Sequence, residues 1–191
     1  MKIGLSMEMT HKLRDTWHAA INYEWYEFLA GYDIVPLSCH GNIPQTDEFD
    51  LIILAGGNDM PDIKTWRDNH YPIRDDFEYK LIQQCLITNT PIIGVCRGFH
   101  FLNYALGGTH KLMTSPYDNV KINLSKFEVT CHHTIQIERL AKGFKILEQD
   151  DKGIIELAVH KSNRILGIGW HPERYVNKHT RQYILNLIET L

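Results

Sequence analysis

Pro91-Ile92-Ile93-Gly94-Val95-Cys96-Arg97-Gly98-Phe99-His100-Phe101-Leu102-Asn103-Tyr104-Ala105-Leu106-Gly107-Gly108 is the stretch that decides the fold. Pro91–Val95 is apolar throughout and predicts a short buried strand. Phe99–Leu106 predicts a helix, closed by Gly107-Gly108. Passing from strand to helix in so few residues requires a sharp turn, and Gly94-Val95-Cys96-Arg97-Gly98 supplies one. A cysteine between two near glycines on such a turn is the thiol counterpart of the Gly-x-Ser-x-Gly nucleophile elbow. The turn lifts the side chain clear of the sheet. The helix N-terminus behind it favours the thiolate, which is the nucleophilic form. The competing reading is a packed cysteine in a βα loop, because free cysteine is among the most buried residue types. The pentapeptide alone does not separate the two.

Outward from the elbow, the first half alternates strand-like and helix-like runs. Strands are predicted at Lys2–Met7, Asp33–Leu37 and Phe49–Leu54, and helices at Trp17–Ala30 and Asp75–Thr88. This β–α–β–α order argues for a parallel sheet with helices on both faces. Ligands bind outside the carboxyl ends of such strands. Ala55-Gly56-Gly57-Asn58-Asp59 and Cys96 both fall at strand ends, so their loops are candidate neighbours. The second half carries short β-type runs at Asn119–Leu124, Phe127–Cys131, Thr134–Glu138, Lys145–Glu148 and Gly153–Val159. These predict antiparallel hairpins added to the sheet. Arg164–Trp170 reads as a further strand and Tyr175–Leu191 as a closing helix. No linker divides the 191 residues, so one domain is expected.

Composition narrows the function classes. The chain is 43% hydrophobic and 23% charged, with a formal net charge of −3. That balance gives no reason to expect nucleic-acid or anionic-membrane partners. No apolar run approaches the roughly 20 residues needed to span a bilayer, and no signal-peptide pattern follows Met1. Cys39, Cys85, Cys96 and Cys131 are widely spaced and form no CxxC pair. A reduced, cytoplasmic protein without a disulfide framework or zinc ribbon is expected. Of the eleven histidines, His132, His133 and His171 invite a zinc reading, but no second close Cys/His pair completes a site. The aromatic load of Trp17, Tyr23, Trp25, Tyr26 and Phe28 is explained by core packing. The alternative is that one of these rings stacks on a substrate base.

A second element follows the strand Ile165–Gly169: Trp170-His171-Pro172-Glu173. In extended chain, residues two apart share a face. His171 and Glu173 can therefore lie side by side, with the carboxylate orienting the imidazole as in a catalytic triad. Pro172 stiffens the spacing. Alone, this is an ordinary surface turn; with Cys96 at another strand end, it completes a thiol-hydrolase pattern. The third element is Gly56-Gly57, where unhindered amides can face a developing oxyanion. The Arg97 amide, next after the nucleophile, is the second candidate donor.

Taken together, Gly94–Gly98, Trp170–Glu173 and Ala55–Asp59 resemble a class I glutamine amidotransferase domain over essentially the whole chain. The resemblance implies a flavodoxin-like α/β fold and a Cys-His-Glu triad. It makes Cys96 the nucleophile, His171 the general base and acid, and Glu173 the orienter. Gly57 and Arg97 would supply the oxyanion-hole amides. No metal or organic cofactor is implied.

Within that superfamily the chain is most similar to the γ-glutamyl-γ-aminobutyrate hydrolase branch. Gly56-Gly57-Asn58-Asp59-Met60-Pro61, Arg74-Asp75 with Glu78, Gly107-Gly108-Thr109 and Lys152-Gly153-Ile154-Ile155-Glu156 each resemble a branch motif. Arg14-Asp15 and Trp25-Tyr26-Glu27-Phe28-Leu29 resemble a subset associated with bacterial surface-polysaccharide (capsule) synthesis. That subset is similar to hydrolases releasing a nucleotide phosphoramidate from its γ-glutamyl conjugate, a γ-glutamyl-CDP-amidate. One loop departs from the family. Val129-Thr130-Cys131-His132-His133 stands where the family has Val-Asn-Ser-x-His, and Thr134 and Ile135 replace the usual following Gln. Candidate substrate contacts are therefore Gly56, Asn58, Arg14, Trp25, Thr130, Cys131, His132 and His133. The expected activity is cleavage of a small γ-glutamyl amide through a γ-glutamyl thioester. The alternatives are a glutaminase subunit feeding ammonia to a separate synthetase, and a catalytically inactive binding module on the same fold. The sequence sets no oligomeric state.

Overall fold

The computed structural model describes residues 1–13, 16–63, 65, 69–174 and 178–191. Along the chain come β1 (Lys2–Ser6), β2 (Glu8–Leu13), β3 (Thr16–Ala20), α1 (Glu24–Phe28), β4 (Asp33–Leu37) and β5 (Leu51–Leu54). They are followed by α2 (Pro72–Thr88), β6 (Ile92–Val95), α3 (Arg97–Ala105) and β7 (Thr109–Leu112). The remaining elements are β8 (Val120–Asn123), β9 (Glu128–Cys131), β10 (Ile135–Arg139), β11 (Lys145–Gln149), β12 (Ile155–His160), β13 (Ile165–Ile168) and α4 (Lys178–Glu189). No helix among the described residues is long and apolar enough to cross a membrane.

Seven strands form the central sheet in the order β11-β12-β13-β6-β5-β1-β4. From β4 to β13 every neighbouring pair is parallel. Numbered by appearance, those five strands read 2-1-3-4-5, the flavodoxin-like order. β12 and β11 continue the sheet in antiparallel pairing. β5, β6 and β13 are buried along their whole length. That is why they read in sequence as unbroken apolar runs.

The side-chain alternation of β5 feeds two cores. Leu51 and Ile53 meet Trp25 and Phe28 of α1 with Ile184 and Ile188 of α4. Ile52 and Leu54 meet Phe77, Leu81 and Ile82 of α2 with Phe101 and Leu102 of α3. Helices thus cover both faces. α2 starts on Pro72 rather than Asp75, because proline suits the first helical turn.

Two expectations are corrected. Trp17–Ala30 is not one helix: its first part is β3, paired antiparallel with β2, and only Glu24–Phe28 is helical. Thr16 and Trp17 have strand-type side chains, and β2 gives their backbone groups partners that a helix would otherwise supply. Trp17 and Tyr23 consequently stand 59% and 71% exposed, while only Trp25 and Phe28 of that aromatic group enter the core. The second correction concerns the later hairpins. β8–β9 and β7–β10 form separate two-stranded sheets instead of joining the central one; only β11 and β12 extend it. β9 nevertheless contributes Val129 and Cys131 to the core beside α4.

Candidate active site

β6 ends at Val95 and α3 begins at Arg97, so Cys96 alone makes the turn. Its φ of 51° and ψ of −110° lie where L-residues rarely go. A side chain on Gly94 would run into the backbone of Gly98, and one on Gly98 into the carbonyl of Leu54. The two glycines therefore let the start of α3 press directly onto β6 and β5. The Cys96 amide donates to the Ile168 carbonyl at 2.7 Å, and its own carbonyl accepts from the His100 amide at 3.1 Å.

The neighbouring strands deliver the other groups. β13 lies on one side of β6 and β5 on the other. Beyond β13, His171 Nδ1–H donates to Glu173 Oε1 at 2.6 Å, and both residues are buried. His171 is the charged group that acts most strongly on the Cys96 thiol. Beyond β5, Gly56 backs the imidazole so closely that a Cβ would stand 2.5 Å from His171 Cε1 and 3.5 Å from Cys96 Cβ. The three strand ends thus converge on one thiol, as the sequence order predicts.

Electrostatics favour a charge-separated pair. Burial alone would raise the Cys96 thiol, but His171, with help from His133 and Arg174, brings it below its ordinary value. Burial would lower His171; Cys96 and Glu173 override it and raise the imidazole to about 10. Both shifts run in the direction of a thiolate beside an imidazolium.

Beneath the elbow lies a buried charge cluster. Glu78 of α2 accepts from Arg74 Nε at 2.9 Å, from Ser6 Oγ at 2.9 Å, and from the Arg97 guanidinium. Asp75 also pairs with Arg97. Arg74 reaches on to the Ala55 carbonyl and Asn58 Oδ1, both at 2.8 Å. The Arg74-Asp75…Glu78 motif thereby clamps the residue after Cys96 to the loop after β5. Asn58 Nδ2 donates to the Met9 carbonyl and its Oδ1 accepts from the Met9 amide. Its side chain is engaged in holding the loop.

Cys96, Arg97, Gly57, Asn58, His132, His133 and His171 line one cavity of about 180 Å³. A second cavity, of about 380 Å³, touches His171 and Arg174 from the side of Thr130 and Trp170. Two candidate contacts lie elsewhere. Trp25 is 2% exposed, packs edge-on against Phe28, and lines only a narrow recess with Glu8, Gly56 and Glu173. Cys131 is fully buried, and its thiol donates to Glu156 Oε2 at 3.6 Å. Strand alternation turns Cys131 inward and Thr130 outward, so only Thr130 reaches a cavity. Arg14 lies outside the described residues.

The sequence reading gave no role to three further groups. His100, one helical turn after Cys96, lines the 180 Å³ cavity, and neither ring nitrogen has a hydrogen-bond partner among the described residues. Burial, with His110 and His133 adding, holds it neutral, well below the usual histidine range. The i, i+4 spacing from Cys96 was the available signal. Arg174 lines both cavities. Glu156 meets His133 Nε2 at 3.1 Å, while His133 Nδ1–H donates to the Ile135 carbonyl at 3.0 Å. Burial works against the His133 charge, and Glu156 prevails, raising the imidazole.

The zinc reading fares poorly at its named residues. His132 Nδ1 accepts from the Asn119 amide at 3.1 Å, and His171 Nδ1 is held by Glu173. Cys131, His133 and Glu156 do bring ligand atoms within 4.8 Å of one another. Within that trio, His133 and Cys131 both bond to Glu156.

The sheet order and the thiol at a strand–helix elbow define a flavodoxin-like α/β protein with a cysteine-centred site. The family model for Glutamine amidotransferase class-I matches residues 14–190, and the chain belongs to that family. It is 31% identical over 133 residues to the gamma-glutamyl-CDP-amidate hydrolase of Campylobacter jejuni, covering 64% of this chain and 62% of that protein. It is 30% identical over 115 residues to the glutamine-hydrolysing GMP synthase subunit of Sulfurisphaera tokodaii, covering 54% and 60%. The matches span about half to two thirds of the length of these curated relatives and of others. In fold, a glutamine amidotransferase from Thermotoga maritima superposes with a TM-score of 0.66 at 15% identity, covering 98% of this chain and 82% of that one.

Proposed function

We propose that this protein hydrolyses a γ-glutamyl amide through a covalent thioester on Cys96. The observation carrying the proposal is the array itself: a buried Glu173–His171 pair at 2.6 Å, gathered with a thiol on a strand–helix elbow around Gly56. Cys96 Sγ attacks the γ-carbonyl carbon, and the developing oxyanion is held by the Gly57 and Arg97 amides. His171 gives its proton to the leaving nitrogen as the C–N bond breaks. Water then attacks the thioester, His171 takes its proton, and glutamate leaves with the thiolate restored. His100 and His133 stand on the wall of the cavity that would hold the glutamyl group. The leaving amine we favour is a nucleotide phosphoramidate, in line with the name of the Campylobacter jejuni relative.

The test is turnover of γ-glutamyl amides by the isolated protein, with mass spectrometry of Cys96. A γ-glutamyl adduct on Cys96, lost along with activity in Cys96→Ala, supports the reading. Near-normal hydrolysis by that variant defeats it. A second reading has support in the GMP synthase relative from Sulfurisphaera tokodaii: a glutaminase delivering ammonia to a separate synthetase. That reading requires hydrolysis of free glutamine to be slow alone and stimulated by a partner. A binding module without catalysis would leave Cys96 unlabelled by glutamine-analogue electrophiles at every pH.

A further inference from the structure

The two cavities meet at His171, and only one contains Cys96. On the reading just given, the acyl group sits beside Cys96 and the leaving nitrogen takes its proton from His171. The cavity that touches His171 without Cys96 is then where the departing amine lies. Its volume, about 380 Å³, is far more than ammonia requires: a molecule the size of water takes up about 30 Å³. It falls within the range of about 300–1,000 Å³ typical of small-molecule pockets.

The lining is chemically one-sided. Lys121, Arg174 and Glu128 are its charged residues, with Val129, Trp170 and Pro172 as apolar walls. Glu128 pairs with Lys121 at 2.7 Å, but both ends are largely exposed, at 71% for Lys121 and 49% for Glu128. Exposed pairs of this kind contribute little, so the ammonium is readily re-aimed. Arg174 approaches Glu173 at 3.8 Å, and its side chain is 32% exposed. Two cations beside His171 against a single carboxylate favour an anion.

We infer that the cavity between β8–β9 and the start of α4 is a leaving-group pocket for an amine bearing a phosphoryl group, with Lys121 as its specificity-determining contact. The inference rests on the proposed hydrolase reading and adds which surface selects the substrate. Arg–phosphate and Lys–phosphate contacts are charge-assisted and among the stronger hydrogen bonds.

The experiment compares four substrates: L-glutamine, γ-glutamyl ethylamide, γ-glutamyl-4-aminobutyrate and γ-glutamyl phosphoethanolamine. Expected is a kcat/KM at least about tenfold higher for the phosphorylated amide than for the other three, falling with salt. Lys121→Gln should remove about tenfold for that substrate alone; Lys80→Glu, a charge change on α2 away from the cavity, should not. Equal rates on all four, a preference for the carboxylate substrate, or an equal loss on all four in Lys121→Gln overturns the inference. A second arm needs no turnover: calorimetric titration of phosphoethanolamine into Cys96→Ala. Binding weakened about tenfold by adding Lys121→Gln supports the pocket even if no γ-glutamyl amide is cleaved, in which case the hydrolase reading fails alone. No saturable binding overturns the pocket.

Discussion

The Arg97 guanidinium is ion-paired to Glu78, joining the residue that follows Cys96 to a helix residue nineteen positions before it. Both side chains are essentially sealed from water, at 4% and 0% exposure. Removing one partner of such a pair leaves an uncompensated buried charge. Glu78→Ala should therefore cost about 3–5 kcal/mol of unfolding free energy. Urea denaturation followed by circular dichroism measures it, and a loss below about 1 kcal/mol would mean that the cluster does not brace the elbow.

The Cys96–His171 pair sets two pH dependences. Cys96 lies below its ordinary value because His171 outweighs burial. Its alkylation by iodoacetamide should stay fast below the ordinary thiol range near about 8.5. In His171→Ala, burial is opposed only by the weaker pull of His133 and Arg174, and the alkylation midpoint should move up. His171, raised to about 10, acts on stability in the other direction. Its contribution is fully present below its unfolded value, about 6.5, and is lost as pH rises towards about 10. The difference in melting temperature between wild type and His171→Ala should narrow across that window.

Glu173→Gln tests the orienter. The amide keeps the shape but lacks the charge that holds the imidazolium, and its NH2 presents donors to a nitrogen that itself donates. We expect kcat to fall about 10³–10⁴-fold with little change in KM. Steady-state kinetics on the substrate preferred by the wild type decides; a change confined to KM would assign Glu173 to binding.

Gly56→Ala places a methyl group 2.5 Å from where His171 Cε1 now stands. The imidazole must shift, while the backbone of the β5 loop has no other reason to move. Expected is a loss of kcat of about 10²-fold, typical of misplacement near 1 Å, with nearly unchanged unfolding. A variant of normal rate would show that the ring has room to yield.

His100→Ala removes an imidazole whose two nitrogens have no hydrogen-bond partner among the described residues. KM should rise by about tenfold, the effect of one lost hydrogen bond to substrate, with kcat largely kept. Because the group is unpartnered, stability should change less than for other buried polar residues. An unchanged KM would make His100 a packing residue.

Much of this arrangement was legible in the residues. β5, β6 and β13 are buried on both faces, so their sequences are plain apolar runs, and the groups at their ends follow from chain order. The elbow declares itself because a cysteine at φ 51° needs small neighbours. Where the reading failed, long-range pairing was decisive. Thr16–Ala20 has aromatic spacing compatible with a helix, and its strand state depends on β2 lying alongside. The roles of Trp25, Thr130 and Cys131 depended on which face of an element met solvent. A one-residue step exchanges those faces in a strand. Glu156 was quoted within a motif, but its partner His133 lies 23 residues earlier in the loop between β9 and β10, and no local pattern links them.

The backbone at Cys96 has a consequence for engineering. A non-glycine residue in that conformation carries roughly 1–3 kcal/mol of strain, endured only because β6, α3 and the Ile168 carbonyl leave the chain no other path. On folding grounds alone, position 96 suits glycine. A library of this protein sorted purely for heat resistance should drift towards Cys96→Gly, while one sorted for γ-glutamyl hydrolysis should hold cysteine there. On the proposed function, the nucleophile is thus a residue that thermostability selection would discard, and any stabilisation campaign must screen for turnover from its first round.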